Sequence, residues 1–185
     1  MFIRMVSGMA CAILLTLSPF VQAATTFPAP NEADWTAKNV TFNSGEKLDE
    51  LRIHYYTIGD KNKPAVLLLH GTNQPVKALL AQGFAGELFG PGQALDSSKY
   101  FIIIPESIGS GKSSKPSDGL RMAFPRYDYD DMVTAQYRLL KEGLGISHLR
   151  LVMGYSMGGM QTWLWGEKYP SMMDALVPMA SQPNE

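Results

Sequence analysis

Four unbroken runs of apolar residues occur in the chain after residue 60. They are Ala65–Leu69, Tyr100–Ile104, Leu149–Met153 and Ala175–Val177. Unbroken apolar runs are typical of strands buried on both faces, as in a parallel sheet covered by helices. The stretches between them show helical spacing of apolar residues, at Val76–Leu88, Tyr129–Glu142 and Met157–Lys168. This alternation of strands and helices predicts a single α/β domain.

The pattern before residue 60 is different. Ala24–Lys38 is polar and contains proline, which indicates an extended lead-in, and two short β-type runs follow at Val40–Asn43 and Leu51–Ile58. In the second run His54 and Tyr56 alternate with more apolar positions. We therefore expect a half-exposed antiparallel hairpin at the edge of the sheet.

Composition narrows the possible functions. The 185 residues carry 16 basic and 17 acidic side chains, so there is no concentrated basic surface for nucleic acid. The single cysteine and the three histidines (His54, His70 and His148) lack the spacing of metal ligands. We predict neither a metal nor a cofactor.

The first 23 residues resemble a secretory signal peptide. Arg4 is their only charge, the apolar run Met9–Leu17 follows, and Val21–Ala23 places small residues before a cleavage point. An uncleaved membrane anchor is the alternative, but the run is shorter than the roughly 20 residues that span a bilayer. We predict cleavage near Ala23/Ala24 and export to the periplasm or medium, with no stable membrane anchor after cleavage. The remaining residues, 24–185, are predicted to form a hydrolase-type domain.

The segment Gly154–Gly158 has the pattern G-x-S-x-G between a predicted strand and a predicted helix. Such a sharp turn strains the central residue and lifts its hydroxyl clear of the sheet, so Ser156 is predicted to be a nucleophile. Gly154 and Gly158 are expected to form this nucleophile elbow because a Cβ at either position would clash with neighbouring backbone. The alternative is a Gly/Ser turn without chemistry.

His70-Gly71-Thr72 directly follows the first buried strand. In this architecture the oxyanion hole is made by backbone N–H groups after that strand and after the nucleophile. We therefore predict the N–H groups of Thr72 and Met157 as the donors. His70 belongs to this turn and precedes the nucleophile, so a structural role is predicted for it.

Three segments together resemble the homoserine O-acetyltransferase branch of the α/β-hydrolases. They are Gly90–Asp96, Asp131–Gln136 and Ser156–Gln161, and the resemblance runs from about Leu51 to Ala180. It implies an α/β-hydrolase fold, with a mostly parallel sheet, flanking helices and an N-terminal antiparallel hairpin. It also implies a serine that takes an acyl group from a thioester and passes it to a hydroxyl or to water.

Two features favour hydrolysis over transfer. Tyr155 stands where the acetyltransferases usually have glycine, and the loop Ile108–Pro116 is similar to that of general ester, epoxide or haloalkane hydrolases. Together with the signal peptide, they predict an exported serine hydrolase acting on a small-molecule ester, thioester or related acyl substrate. The alternatives are an O-acyltransferase, a catalytically dead remnant, or a protein that binds such molecules without turnover.

A serine nucleophile requires a base and an acid to orient that base, and in α/β-hydrolases both follow the serine. After Ser156 this sequence offers the acids Glu167, Asp174 and Glu185, and no histidine. None of the three is expected at the active site, and His54 and His148 are expected on the surface. We therefore expect the chain to be the N-terminal portion of a longer hydrolase, ending after the strand that follows the nucleophile helix.

One weaker pattern is Gly109–Ser113, which resembles the end of a phosphate-binding loop. The full motif requires glycine where Glu106 stands and a helix where Pro116 follows. We predict a bend near the active-site mouth, with Lys112 as a surface charge.

Overall fold

The computed structural model describes residues 26–72 and 76–183. Its strands are β1 (Asn31–Thr41), β2 (Lys47–Ile58), β3 (Ala65–Leu69), β4 (Phe101–Pro105), β5 (Leu149–Tyr155) and β6 (Leu176–Met179). Its α-helices are α1 (Ala85–Leu88), α2 (Tyr129–Arg138) and α3 (Met157–Lys168). A π-helical turn, Leu139–Gly143, continues α2. Short 3-10 turns lie at Val76–Ala78, Pro116–Asp118, Arg121–Ala123 and Pro170–Met172.

The strands form one sheet in the order β1-β2-β4-β3-β5-β6. The pairs β1–β2 and β2–β4 are antiparallel, whereas β4–β3, β3–β5 and β5–β6 are parallel. The sheet is therefore mostly parallel with an antiparallel start, and helices flank it. This confirms the fold class expected from the sequence.

The central strand β3 has no exposed face. Val66 and Leu68 pack on one side with Phe89, which follows α1. Leu67 packs on the other side with Val133 of α2 and Trp165 of α3. Because successive side chains of a strand point to opposite faces, helices on both faces require the unbroken apolar runs seen in the sequence.

The first strand is longer than predicted. Residues 31–38, expected in an extended lead-in, belong to β1, which pairs with β2 from Asn31↔Thr57 to Thr41↔Lys47. Ala37 is buried on this strand, while its neighbours Lys38 and Thr36 are not. A long antiparallel partner supplies backbone hydrogen bonds, and these leave no trace in an apolar pattern.

The expected exposure of one face of β2 was wrong at two positions. Arg52 on this face is exposed, but His54 is only 4% exposed and Tyr56 only 3%. β2 is an inner strand, flanked by β1 and β4, and Tyr56 packs into the same core as β3. The position of β2 between two other strands is a property of the whole sheet that local alternation does not reveal.

The helix predicted for Val76–Leu88 was also wrong. This segment forms a 3-10 turn at Val76–Ala78, further turns, and the single helical turn of α1. Gly83 and Gly86 interrupt it. Because each glycine disfavours a helix by about 1 kcal/mol relative to alanine, the apolar spacing did not suffice to form one continuous helix.

The predicted signal peptide, Met1–Ala23, and the candidate acid Glu185 lie outside the described residues. Within residues 26–72 and 76–183, no helix has the length and apolar character needed to cross a bilayer.

Candidate active site

Ser156 occupies the turn between β5 and α3. The strand ends at Tyr155, the helix begins at Met157, and Ser156 adopts φ 52° and ψ −122°. A residue with a side chain rarely adopts positive φ, and such strain persists only where the surroundings over-determine it. The Ser156 side chain is exposed at this turn. The turn has the strained strand-to-helix geometry expected for this motif, and the role of Ser156 as a nucleophile stays a prediction.

Two glycines allow the strand and the helix to come this close. A Cβ built on Gly154 would lie 2.2 Å from the Gly158 carbonyl oxygen. A Cβ built on Gly158 would lie 2.3 Å from the Leu69 carbonyl oxygen of β3. Each of these atoms belongs to the backbone and cannot turn aside, so glycine is required at both positions, as the sequence predicted.

The turn after β3 lies beside the elbow. A Cβ on Gly71 would come within 2.8 Å of the Tyr155 ring and 3.4 Å of the Ser156 Cβ. Thr72, the next residue, is exposed, and Met157 begins α3, where a backbone N–H has no partner within the helix. The two segments predicted to supply the oxyanion hole are therefore neighbours in the fold. The roles of the Thr72 and Met157 N–H groups stay predictions.

His70 is buried and holds the turn together. Its Nδ1 lies 2.9 Å from the Gly71 carbonyl oxygen, and its Nε2 lies 3.0 Å from the backbone nitrogen of Ser107. A backbone N–H only donates and a carbonyl only accepts, so the imidazole is neutral with its proton on Nδ1. Burial lowers the pKa of His70 below its ordinary value of 6.5. This geometry agrees with the structural role expected from the sequence.

The neutral His70 predicts a pH effect on folding. As pH falls below 6.5, His70 of the unfolded chain takes up a proton that the folded chain still resists, so the stability present above this pH is progressively lost. Urea denaturation between about pH 7 and pH 5 should show a smaller loss of stability for His70→Asn than for the parent. An identical pH slope in the two proteins would contradict this assignment.

A cavity of about 370 Å³ opens at the serine. It is lined by Ser156, Met160, Ala180, Ser181 and Gln182. The backbone nitrogen of Ser156 donates to the Met179 carbonyl oxygen at 2.9 Å, which ties the end of β6 to the elbow. Residues 180–182, which sequence reasoning had missed, form one wall. Their position after a parallel strand, at the edge where the other strands also end, was the available signal.

The acids and histidines considered as triad partners lie elsewhere. Asp174 accepts from His148 Nε2 at 2.7 Å and from Arg150 at 3.1 Å. These residues stand where β5 and β6 begin, whereas Ser156 follows the end of β5. The hydrogen bond from His148, followed by that from Arg150, lowers the pKa of Asp174. His148 is on the surface as predicted.

His54 departs from its predicted surface position. It is buried, its Nδ1 lies 2.7 Å from Asp34 Oδ1, and its Nε2 lies 3.4 Å from Glu32 Oε2. Both carboxylates belong to β1, the strand absent from the prediction over these residues.

Glu167 is exposed near the end of α3 and lines a second cavity of about 480 Å³, which shares Met160 and Gln182 with the serine cavity.

The backbone of the glycine-rich loop Gly109–Ser113 is in contact with the side-chain carboxylate of Glu106. The backbone nitrogen of Lys112 donates to Glu106 Oε2 at 2.5 Å. A Cβ on Gly111 would lie 2.1 Å from the same oxygen, so the carboxylate rests directly on the loop. This explains the likeness to a phosphate loop, since the N–H groups of such loops favour negative charge. Among the described residues, no cluster of histidine, cysteine and acidic side chains has metal-binding geometry.

Comparison with known proteins agrees with this geometry. Residues 64–185 match the model of a family described as alpha/beta hydrolase fold. A homoserine O-acetyltransferase of Moorella thermoacetica is 39% identical over 158 residues, covering 75% of this chain and 41% of that relative.

Two solved structures extend the comparison. An acetylester hydrolase from Corynebacterium glutamicum superimposes with a TM-score of 0.73 at 28% identity, covering 82% of this chain and 44% of that one. A homoserine O-acetyltransferase from Bacillus anthracis gives 0.67 at 26% identity, covering 80% and 46%. The chain thus spans less than half the length of these relatives. With the strand order, the elbow and the family match in agreement, the chain belongs to the α/β-hydrolase fold family and is similar to its homoserine O-acetyltransferase branch.

Proposed function

We propose that the protein is an exported serine hydrolase that cleaves small acyl esters or thioesters through an acyl-enzyme at Ser156. The observation that carries this proposal is that Ser156 is exposed on a strained elbow and lines a cavity of about 370 Å³. Such a turn holds a serine where a carbonyl carbon can approach it, with helix N–H groups close by. The similarity to an acetylester hydrolase at 28% identity supports the same chemistry.

In the proposed reaction, Ser156 Oγ attacks the substrate carbonyl carbon while a base removes its proton. The carbonyl oxygen becomes negatively charged and accepts hydrogen bonds from the N–H groups of Thr72 and Met157. Collapse of this intermediate expels the alcohol or thiol, which takes up the proton, and leaves an ester on Ser156. Water then attacks that ester, releases the acid and restores the serine.

The base is not among the residues after Ser156 in this sequence, because none of them is a histidine. His70 cannot serve, since both ring nitrogens are engaged in the turn after β3. His148 is paired with Asp174 where β5 and β6 begin, at the other end of β5 from Ser156. His54, on β2, is paired with Asp34 and lies three strand positions from β5 in the sheet. We propose that the base and its acid come from the length of the relatives that this chain does not span.

Transfer to an acceptor is the second candidate function. It is favoured by the 39% identity to a homoserine O-acetyltransferase. Both reactions share the acyl-serine, so they differ only in whether water or an alcohol removes the acyl group. The amounts of free acetate and O-acetylhomoserine formed in the presence of homoserine decide between them. More O-acetylhomoserine than free acetate would overturn our preference for hydrolysis.

The proposal is tested on the protein purified from its native host. Brief incubation with p-nitrophenyl acetate should add one acetyl group, located by peptide mass spectrometry on the peptide that contains Ser156. The intact mass also reports whether the mature N-terminus is Ala24 and whether the polypeptide is longer than this sequence. A product no longer than this sequence that takes up no acetyl group would favour a catalytically inactive remnant. If that product binds an ester specifically without turning it over, the alternative of a protein that only binds such molecules would be favoured.

A further inference from the structure

Two glutamines and a tryptophan form a buried hydrogen-bonded chain between α2 and α3. Gln136 Nε2 donates to Gln161 Oε1 at 2.6 Å, and Trp165 Nε1 donates to Gln136 Oε1 at 2.9 Å. Gln161 Nε2 also contacts the sulfur of Met132 at 3.3 Å. Gln136 is 2% exposed, and Gln161 and Trp165 are fully buried. Since buried amides are costly unless they are hydrogen-bonded, this arrangement calls for a reason beyond packing.

The first turn of α3 offers few side chains to fix the helix at its serine end. There Gly158 contacts the Leu69 carbonyl, and a Cβ on Gly159 would lie 2.7 Å from the Met179 carbonyl. Helices normally settle at one angle because the side-chain ridges of one surface fill the grooves of another. The Gly158-Gly159 turn has no such ridges, whereas Trp165, two turns further along α3, packs in the apolar core with Leu67 of β3. The glycines permit close approach of the backbones, but they set the rotation and axial position of the serine end of the helix weakly.

Hydrogen bonds between amides are directional and therefore supply this missing constraint. Their α2 end is itself anchored, because the Asn43 backbone nitrogen donates to Asp131 Oδ1 at 2.9 Å. Asp128 and Asp131 also form a reciprocal capping box at the start of α2. A rigid α2 thus presents Gln136 at a defined place, and α3 is held against it through Gln161 and Trp165.

We propose that Gln136 and Gln161 are positioning residues for Ser156. They act through α3, whose first residue follows the serine directly and whose Met160 backbone nitrogen donates to the Ser156 carbonyl oxygen at 3.0 Å. A small rotation of α3 would move both the hydroxyl and the Met157 N–H. The kinetic consequence rests on the acyl-enzyme function proposed above, whereas the effect on the elbow itself does not.

The double variant Gln136→Met/Gln161→Met tests this on the full-length protein. Methionine is similar in length to glutamine, and replacing both amides removes their mutual hydrogen bond without leaving either amide unpaired. Because Trp165 Nε1 loses its acceptor, some loss of stability is expected, and the control variant is chosen to match it. With p-nitrophenyl acetate we expect kcat to fall at least about tenfold with little change in KM, because misplaced reacting groups cost rate more than binding. Hydrogen exchange at the Met160 amide should become faster.

Val133→Ala is the matched control. Val133 is fully buried on α2 but belongs to the apolar core and makes none of these hydrogen bonds. This variant should lower stability and leave kcat unchanged. The protection of the Met160 amide from exchange, measured relative to the free energy of global unfolding, should also be unchanged. This separates a positioning effect from general destabilisation.

Gln136→Glu gives a second readout. A protonated carboxyl group can donate to Gln161 Oε1 as the amide did, whereas a carboxylate cannot. The rate of this variant relative to the parent should therefore increase as pH is lowered.

Parent-like acylation together with parent-like Met160 exchange in the methionine double variant would overturn the proposal. If the parent itself does not acylate, the proposed function fails, and the Met160 exchange alone decides the positioning role.

Discussion

Ser156→Ala should abolish acetyl labelling and lower ester turnover by at least about a thousandfold, because loss of a serine nucleophile removes the covalent route. The fold should be retained, since alanine keeps the Cβ and the Ser156 hydroxyl is exposed. Turnover of p-nitrophenyl acetate and the intact mass after incubation provide the measurement. The protein for this test is the full-length product that labels at Ser156.

Ser171→Ala serves as the control for this variant. Ser171 is also exposed and lies just beyond α3, at the end of the helix remote from the elbow. It should label and turn over like the parent. Full activity in Ser156→Ala would show that catalysis uses another nucleophile, and the elbow would then be a structural turn.

Gly158→Ala should destabilise the protein by about 3 kcal/mol and slow acylation as well. The new methyl group would meet the carbonyl oxygens of Leu69 at 2.3 Å and His70 at 2.8 Å. Both are backbone atoms, so α3 would have to move away from β3, and overpacking of this kind costs 1–3 kcal/mol or more. Urea denaturation and the acylation rate report the two effects.

Gly166→Ala makes the same substitution on the same helix. Its methyl group would meet only the Leu176 Cδ1 atom at 2.5 Å, the movable end of a flexible side chain. Alanine also favours a helix over glycine by about 1 kcal/mol. We expect stability within about 1 kcal/mol of the parent, and an equal loss in both variants would mean that the backbone contact at Gly158 is not the cause.

The elbow could be predicted because its constraint is local. A strand that turns directly into a helix around Ser156 requires small residues at Gly154 and Gly158, and this requirement is written in consecutive positions. The long helix α3 was predicted over its observed range for a similar reason. The order of the strands in the sheet was not predicted, because no property of the individual runs encodes it.

The errors at β1 and His54, and the unforeseen contact of Gln136 with Gln161, have a common origin in the tertiary structure. β1 pairs with β2 through its backbone while many of its side chains stay polar, so hydropathy gave no sign of residues 31–38. His54 was expected on the surface because the two neighbours of β2 in the sheet were unknown. The Gln136–Gln161 contact joins residues 25 positions apart, and a spacing argument within either helix cannot show it.

The close contacts of Gly154 and Gly158 separate two parts of the site. The serine is held by glycines against backbone, where almost no substitution is tolerated. The cavity wall, in contrast, comes from side chains at Met160 and at 180–182, which do not take part in those glycine contacts. Under the function proposed above, reactivity and substrate preference therefore fall on distinct stretches of the chain. Substitutions in the wall should change the preferred acyl group while leaving the chemistry of the serine unchanged.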